Sequence, residues 1–147
     1  PGLRCSVLER FPVDRIAAEA IARRGFSDRV SVVTGDLFAE RLPEGYDAYL
    51  ISNVLHDWDE ADVREILFKV GRAMTSGGRL LLHDAHLNEG KTGPLPVAQY
   101  SALLAHSTEG RCYSISEMRT WMDEAGFDWV AHHPTAVDRS VIVGERR

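Results

Sequence analysis

The chain holds only two cysteines in 147 residues, Cys5 and Cys112, and they form no Cys-x-x-Cys pair. That spacing offers neither a disulfide framework nor a cysteine-based zinc site. Two isolated thiols suit a reducing compartment. Positive charge is also in short supply, with 17 Lys and Arg against 22 Asp and Glu and a net charge of −5. A nucleic-acid surface needs a clustered basic face, so no nucleic-acid partner is expected. No apolar run approaches the roughly 20 residues that span a bilayer. No charged, apolar, small-residue leader is recognisable at the start. The expectation is a cytoplasmic protein with no membrane contact. Methionine is missing from position 1, and a strand-like segment begins within a few residues of Pro1. The chain reads as a piece of something longer.

What is present is a core-forming composition, 44% apolar, arranged as alternating strands and helices. Cys5 to Glu9 is a strand candidate, and residues 13–24 follow as a helix with Ile16, Ala17, Ala20 and Ile21 on one face. Gly25 stops it, behind the cations Arg23 and Arg24. Val30 to Val33 is the next strand, ending at Thr34-Gly35-Asp36, and Tyr46 to Val54 is another. Asp59 and Asp62 start a helix with the stripe Val63, Ile66, Leu67, Val70 and Met74, and Gly77-Gly78 ends it. Arg79 to Asp84 reads as a buried strand, Asn88 to Pro96 as a loop, and Val97 to Ala105 as a helix. Ser114-Ile115-Ser116-Glu117 is a capping box whose helix turns Met118, Trp121, Met122 and Ala125 inward. Two strands close the chain, Phe127 to His133 and Arg139 to Gly144. Such alternation implies βαβ units and an α/β fold with a mainly parallel, doubly wound sheet.

Within that pattern, Leu55-His56-Asp57-Trp58 follows the carboxyl end of a strand, where open α/β sheets bind their ligands. A histidine there changes protonation state near neutral pH, which makes His56 a candidate catalytic base. His83 and His86, with His56, Asp57 and Asp84, form an alternative grouping of imidazoles and carboxylates that suits zinc or manganese. The His-Asp-Ala-His spacing at a strand end argues against that grouping, and no metal is expected. His132 and His133, adjacent on a strand, must face opposite ways.

Several of these motifs coincide with those of one family. Glu9 ends a strand, Gly35-Asp36-Leu37-Phe38 ends the next, and Leu55-His56-Asp57-Trp58 ends the third. Ser76-Gly77-Gly78-Arg79-Leu80-Leu81 opens the fourth, and Glu124-Ala125-Gly126-Phe127 precedes the last two. The chain resembles, over nearly its whole length, the catalytic domain of the S-adenosylmethionine-dependent O-methyltransferases of the caffeate and hydroxyindole type and their bacterial polyketide relatives. The resemblance implies a class I methyltransferase, Rossmann-like fold over residues 1–147. It also implies that the family's first strand, its glycine-rich loop and its helical dimerisation domain lie upstream of Pro1. The two strands that would flank that missing strand are then expected to carry open edges.

The resemblance further implies roles. His56 would be the general base toward a phenolic hydroxyl, and Asp84 would stand where the family carries a glutamate that orients it. Aspartate is one methylene shorter, so a direct contact, a bridging water or no contact are all open. Cys112 falls where the family has a second glutamate, and a neutral thiol cannot supply that charge. Glu9 would accept from the ribose hydroxyls of S-adenosylmethionine, Asp36 would meet the adenine amino group, and Leu37 would lie against its ring. Ser52 occupies a cofactor-proximal position where relatives often carry lysine. Trp58 fits either a wall of the adenine site or the core. Tyr100, Leu103, Leu104 and His106 would form one wall for a small aromatic acceptor. The implied activity is methyl transfer to such an acceptor's hydroxyl, in a parent enzyme that is a homodimer through its N-terminal domain. Two other readings stand beside it: a cofactor-binding relative that supports hydroxylation or decarboxylation, and a non-catalytic fragment or partner subunit.

Overall fold

A computed structural model of the chain describes residues 2–39 and 41–147. The chain divides into two compact units, Pro1–Pro43 and Glu44–Arg147. In the first, β1 (Cys5–Glu9), α1 (Val13–Arg23) and β2 (Val30–Thr34) make one βαβ unit. The helical crossover lets the strands run parallel, with Cys5 opposite Val30 and Glu9 opposite Thr34. The backbone N–H of Gly35 donates to the Glu9 carbonyl at 2.9 Å. Glu9 and Asp36 therefore leave the carboxyl ends of neighbouring strands. The inward face expected for α1 holds for Ala17, Ala20 and Ile21, which are half-buried. It fails for Ile16, which is 63% exposed. A two-stranded sheet is too narrow to cover the full apolar stripe of a three-turn helix.

The second unit contains β3 (Ala48–Ser52), a 3₁₀ turn (Leu55–Asp57), α2 (Glu60–Ala73), β4 (Arg79–Asp84) and α3 (Leu95–Ser107). It continues with α4 (Ile115–Glu124), β5 (Phe127–Pro134) and β6 (Ser140–Arg146). The sheet order is β3-β4-β6-β5. β3 and β4 are parallel, but β6 runs antiparallel to both of its neighbours. The parallel character expected of the sheet is thus confined to β1/β2 and β3/β4. The cause is local: a short turn, closed by Thr135 N–H donating to the Arg139 carbonyl at 2.8 Å, joins β5 to β6 as a hairpin. Among the described residues, β1 and β3 each pair on one side only.

The helices form where their signals lie. Asp59 caps α2 by accepting from the Asp62 N–H at 2.9 Å, and Val63, Ile66, Leu67, Val70 and Met74 are all buried. The Ser114–Glu117 capping box is present, with Met118, Trp121, Met122 and Ala125 buried. α3 starts earlier than expected because Pro96 sits in its first turn, where no N–H is needed, rather than in the preceding loop. These helices and Leu80, Leu82, Phe127 and Ile142 of the sheet make the main core. A smaller cluster of Ala85, Leu87, Val97, Leu104 and Cys112, with Tyr100 packed against it, lies under α3. No helix among the described residues is long and apolar enough to cross a membrane.

α2 and the end of α4 meet at Gly71, where an added Cβ would lie 2.5 Å from the Ala125 carbonyl oxygen. Arg146 spans the same junction, donating through Nε to the Gly71 carbonyl and through Nη1 to the Gly126 carbonyl, both at 2.7 Å. Gly71→Ala is therefore expected to cost about 1–3 kcal/mol through forced separation of these elements. Denaturant unfolding measures it, and an unchanged midpoint would show that the junction yields freely.

Candidate active site

His56 owes its place to the parallel pairing of β3 with β4, which sets Ser52 opposite His83. The chain leaves β3 through Asn53, whose φ of 52° is left-handed, and enters the 3₁₀ turn that carries His56. The residue is thus in a turn ahead of α2, not in the first turn of the helix itself. Asp84 ends β4 beside it. The imidazole Nδ1–H of His56 donates to Asp84 Oδ1 at 2.5 Å, and the Ala85 backbone N–H donates to the same oxygen at 2.7 Å. A carboxylate accepts only, so the proton sits on Nδ1 and Nε2 carries the lone pair. The contact is direct despite the shorter aspartate side chain. Both side chains are buried. The bond to Asp84 raises the His56 pKa above its ordinary value, opposed by burial, with the charges of Asp84 and Asp57 adding and that of Arg139 subtracting.

The Nε2 side of the ring faces two further groups. Tyr100 places its hydroxyl 3.2 Å away, and Asp57 Oδ1 stands at 3.6 Å. Arg139 lies over the Tyr100 ring, 4.8 Å from its centroid, and donates through Nε to Asn53 Oδ1 at 2.9 Å. Cys112 is fully buried in the apolar cluster, and burial pushes its thiol up to about 11. It is neutral at physiological pH and is no nucleophile.

Under the turn lies Gly110, where a Cβ would collide with the His56 carbonyl and come within 2.6 Å of the Trp58 backbone. Tyr113 braces the same turn by donating its hydroxyl to the Trp58 carbonyl at 2.6 Å. Arg139 and Gly110 had no sequence signal tying them to His56, since each comes from a different and distant segment, and Tyr100 was expected as a wall for the acceptor rather than as a partner of the imidazole. Of the wall proposed along α3, Tyr100 reaches the site, whereas Leu104 is buried in the core and Leu103 is 62% exposed.

The sequence signature of the O-methyltransferase domain matches residues 1–128. The chain belongs to that family. It is 37% identical over 126 residues to a 3-hydroxy-5-methyl-1-naphthoate 3-O-methyltransferase of Streptomyces sahachiroi, covering 86% of this chain and 36% of that protein. An O-methyltransferase family 2 protein of Planctomyces limnophilus, solved in complex with apigenin, superposes with a TM-score of 0.92 at 39% identity. That match covers 98% of this chain and 43% of the other. An O-methyltransferase from neocarzinostatin biosynthesis, solved with S-adenosylmethionine and 2-hydroxy-5-methyl naphthoic acid, matches with a TM-score of 0.85 at 28% identity. It is covered to 42%, and this chain to 99%. The chain therefore spans about a third of the length of the first curated relative. The fold is the Rossmann-like α/β fold of class I methyltransferases.

In this O-methyltransferase domain the residues expected near a cofactor fall in both units. In the first, Asp36 already uses its carboxylate twice, accepting from the Phe38 N–H at 2.9 Å and pairing with Arg10 at 3.4 Å. Glu9 accepts from its neighbouring Arg10 N–H, at 3.3 Å. Leu37 is half-buried in the turn after β2. In the second unit Ser52 shares a hydrogen bond with His83 Nδ1 at 2.9 Å, and Trp58 is half-buried after the 3₁₀ turn. The histidines of the alternative metal grouping are divided among separate partners. His83 Nε2 meets Thr135 at 3.2 Å, and His86 Nδ1 meets Ser140 at 2.8 Å, with burial lowering the His86 pKa to about 4. Among the described residues no three His, Cys, Asp or Glu side chains are placed to hold a metal ion.

Two outcomes follow for the turn. Gly110→Ala is expected to displace the His56 backbone, costing about 1–3 kcal/mol and bringing the histidine's pKa back toward its ordinary value. Chemical denaturation and NMR titration read the two effects, and no change in either would free Gly110 from this role. The raised His56 pKa also has a sign. Stabilisation from the charged pair is complete below the unfolded value of about 6.5 and is lost as pH rises through the higher folded value. The difference in melting temperature between the native protein and Asp84→Asn should therefore shrink from pH 6 toward pH 9. A constant or widening gap would mean that the pair is not proton-linked.

Proposed function

We propose that the chain is the catalytic part of an enzyme that transfers a methyl group from S-adenosylmethionine to a hydroxyl of a small aromatic molecule. The observation that carries this reading is the buried His56–Asp84 pair at the carboxyl ends of β3 and β4. Family membership and the relatives named for naphthoate methylation support it. The donor set of the first unit suits the nucleoside of that cofactor. Glu9 and Asp36 stand at adjacent strand ends, and a carboxylate such as Glu9 can accept from two vicinal ribose hydroxyls together. Asp36 would take the adenine amino group and Leu37 would cover the ring. When bound, S-adenosylmethionine supplies an electrophilic methyl group.

The chain's own groups then act on the acceptor's proton. A phenol with a pKa near 10 is mostly protonated at neutral pH. His56 Nε2 takes its proton as the oxygen attacks, and Asp84 keeps the imidazole in the Nδ1–H tautomer and stabilises the cation that forms. Proximity of oxygen to the methyl carbon supplies the remainder of the acceleration. Among the described residues Asp84 is the one buried carboxylate, and the neighbouring Cys112 is neutral. That thiol is the one observation favouring the second reading, a relative performing hydroxylation or decarboxylation, and product analysis by mass spectrometry separates the two. We further propose a cytoplasmic homodimer of the relatives' length, with neither nucleic acid nor membrane as partner, consistent with two free thiols and the acidic balance.

In the full-length protein, His56→Ala should lower methylation by roughly 10²–10⁴-fold while cofactor affinity stays within a few-fold. Asp84→Asn should do less harm, because it removes charge and keeps shape. The rate should fall as pH drops through the His56 pKa, above about 6.5, since an imidazolium cannot accept a proton. Near-normal turnover by His56→Ala on a phenolic acceptor would return His56 to a structural role.

A further inference from the structure

The proton-accepting nitrogen of His56 is already engaged. Nδ1 is committed to Asp84, and only 7% of the side chain is exposed. The single lone pair on Nε2 receives the Tyr100 hydroxyl at 3.2 Å, with the two rings edge to face at 77° and 5.4 Å between centroids. Tyr100 is the donor in this bond, because Nε2 has no proton to give in the tautomer that Asp84 imposes. Burial raises the Tyr100 pKa, with Arg139 opposing and the charges of Asp84 and Asp57 reinforcing, so the hydroxyl keeps its proton. The phenol is held from two sides. Its helix packs on the small apolar cluster, Arg139 lies over its ring, and Arg139 is itself tied to Asn53 at the end of β3.

An imidazole nitrogen has one lone pair, so an acceptor hydroxyl cannot bond to Nε2 while Tyr100 does. Tyr100 is the more exposed of the two residues. The group that an incoming hydroxyl meets is then the Tyr100 oxygen, which has lone pairs to spare. We infer that Tyr100 is a second catalytic residue, relaying the proton of the acceptor hydroxyl to His56. The inference rests on the reading of His56 as the base. In the relay the acceptor's O–H bond breaks and its proton passes to the Tyr100 oxygen, while the proton of Tyr100 passes to His56 Nε2. Tyr100 ends as the neutral phenol it began as, and His56 ends as an imidazolium paired with Asp84. The acceptor oxygen bonds to the methyl carbon, and the electron pair of the broken carbon–sulfur bond remains on sulfur.

Tyr100→Phe tests this in the full-length enzyme, since it keeps the ring and its contact with Arg139 and removes only the hydroxyl. Turnover at saturating acceptor is expected to fall about 10–100-fold, with the acceptor KM within a few-fold. A second readout needs no cofactor. In protein labelled with 15N-histidine, NMR titration should show the His56 pKa moving up in the variant, because the native hydroxyl donates to the neutral imidazole and so favours it. Asp84, Asp57 and Arg139, the other charged groups facing the ring, are unchanged by the substitution. Undiminished or faster turnover would make Tyr100 a mere cover over His56 and overturn the relay. An unmoved titration would overturn it too, by showing that the bond does not form. His56→Ala keeps the two readings apart. If it is inactive while Tyr100→Phe is fully active, the relay fails and the base stands. If it is fully active, the base fails and the relay with it.

Discussion

Parallel pairing of β3 with β4 is the constraint from which the site follows. Two parallel strands end on the same side of a sheet, so whatever follows one lies beside the end of the other. Here the register sets Ser52 against His83, which leaves the turn after β3 next to Asp84. The left-handed Asn53 lets the chain bend sharply enough for His56 to come back over the strand end. Gly110 and Tyr113 then close on the turn from beneath, one by having no side chain and the other by a hydrogen bond to Trp58. A histidine and an aspartate 28 residues apart thus become a buried pair.

Burying that pair is costly unless the charges are matched and the remaining polar atoms satisfied. Asp84 Oδ1 is satisfied by His56 and by the Ala85 N–H, and His56 by Asp84 and Tyr100. The neighbouring Cys112 adds apolar volume and no charge, so among the described residues Asp84 is the one buried carboxylate that answers His56. Asp57, nearly half exposed, and Arg139 set the field at the mouth with opposite signs. A site so arranged holds one extra proton readily, which is what a base needs during the reaction proposed for it.

Much of the architecture was legible from periodicity and caps. The stripe of α2 and the Ser114 capping box are local signals that held, whereas α2 ends at Ala73, ahead of the Gly77-Gly78 stop expected for it. Local signals failed where a long-range term decided. Ile16 keeps a helical spacing yet stays exposed, because the narrow sheet of its unit cannot cover it. Pro96 reads as loop chemistry but is compatible with the first turn of α3. The direction of β6 came from the tight turn before it, which overrode the parallel pattern of the earlier strands.

The site divides in the same way. Residue order alone was enough to put His56 and Asp84 at strand ends and Glu9 and Asp36 at neighbouring ones, since strand–helix alternation dictates on which side each strand finishes. It was also enough, through shared motifs, to point to the O-methyltransferase family. Only the tertiary structure decided that the shorter aspartate touches His56 directly, that Tyr100 occupies the other ring nitrogen, and that Arg139 and Gly110 belong to the same site. Those contacts join segments far apart in the chain, and their existence depends on packing distances of a few tenths of an ångström. Pattern and spacing carry no such distances; they are set when the sheet, α3 and the small apolar cluster close on one another.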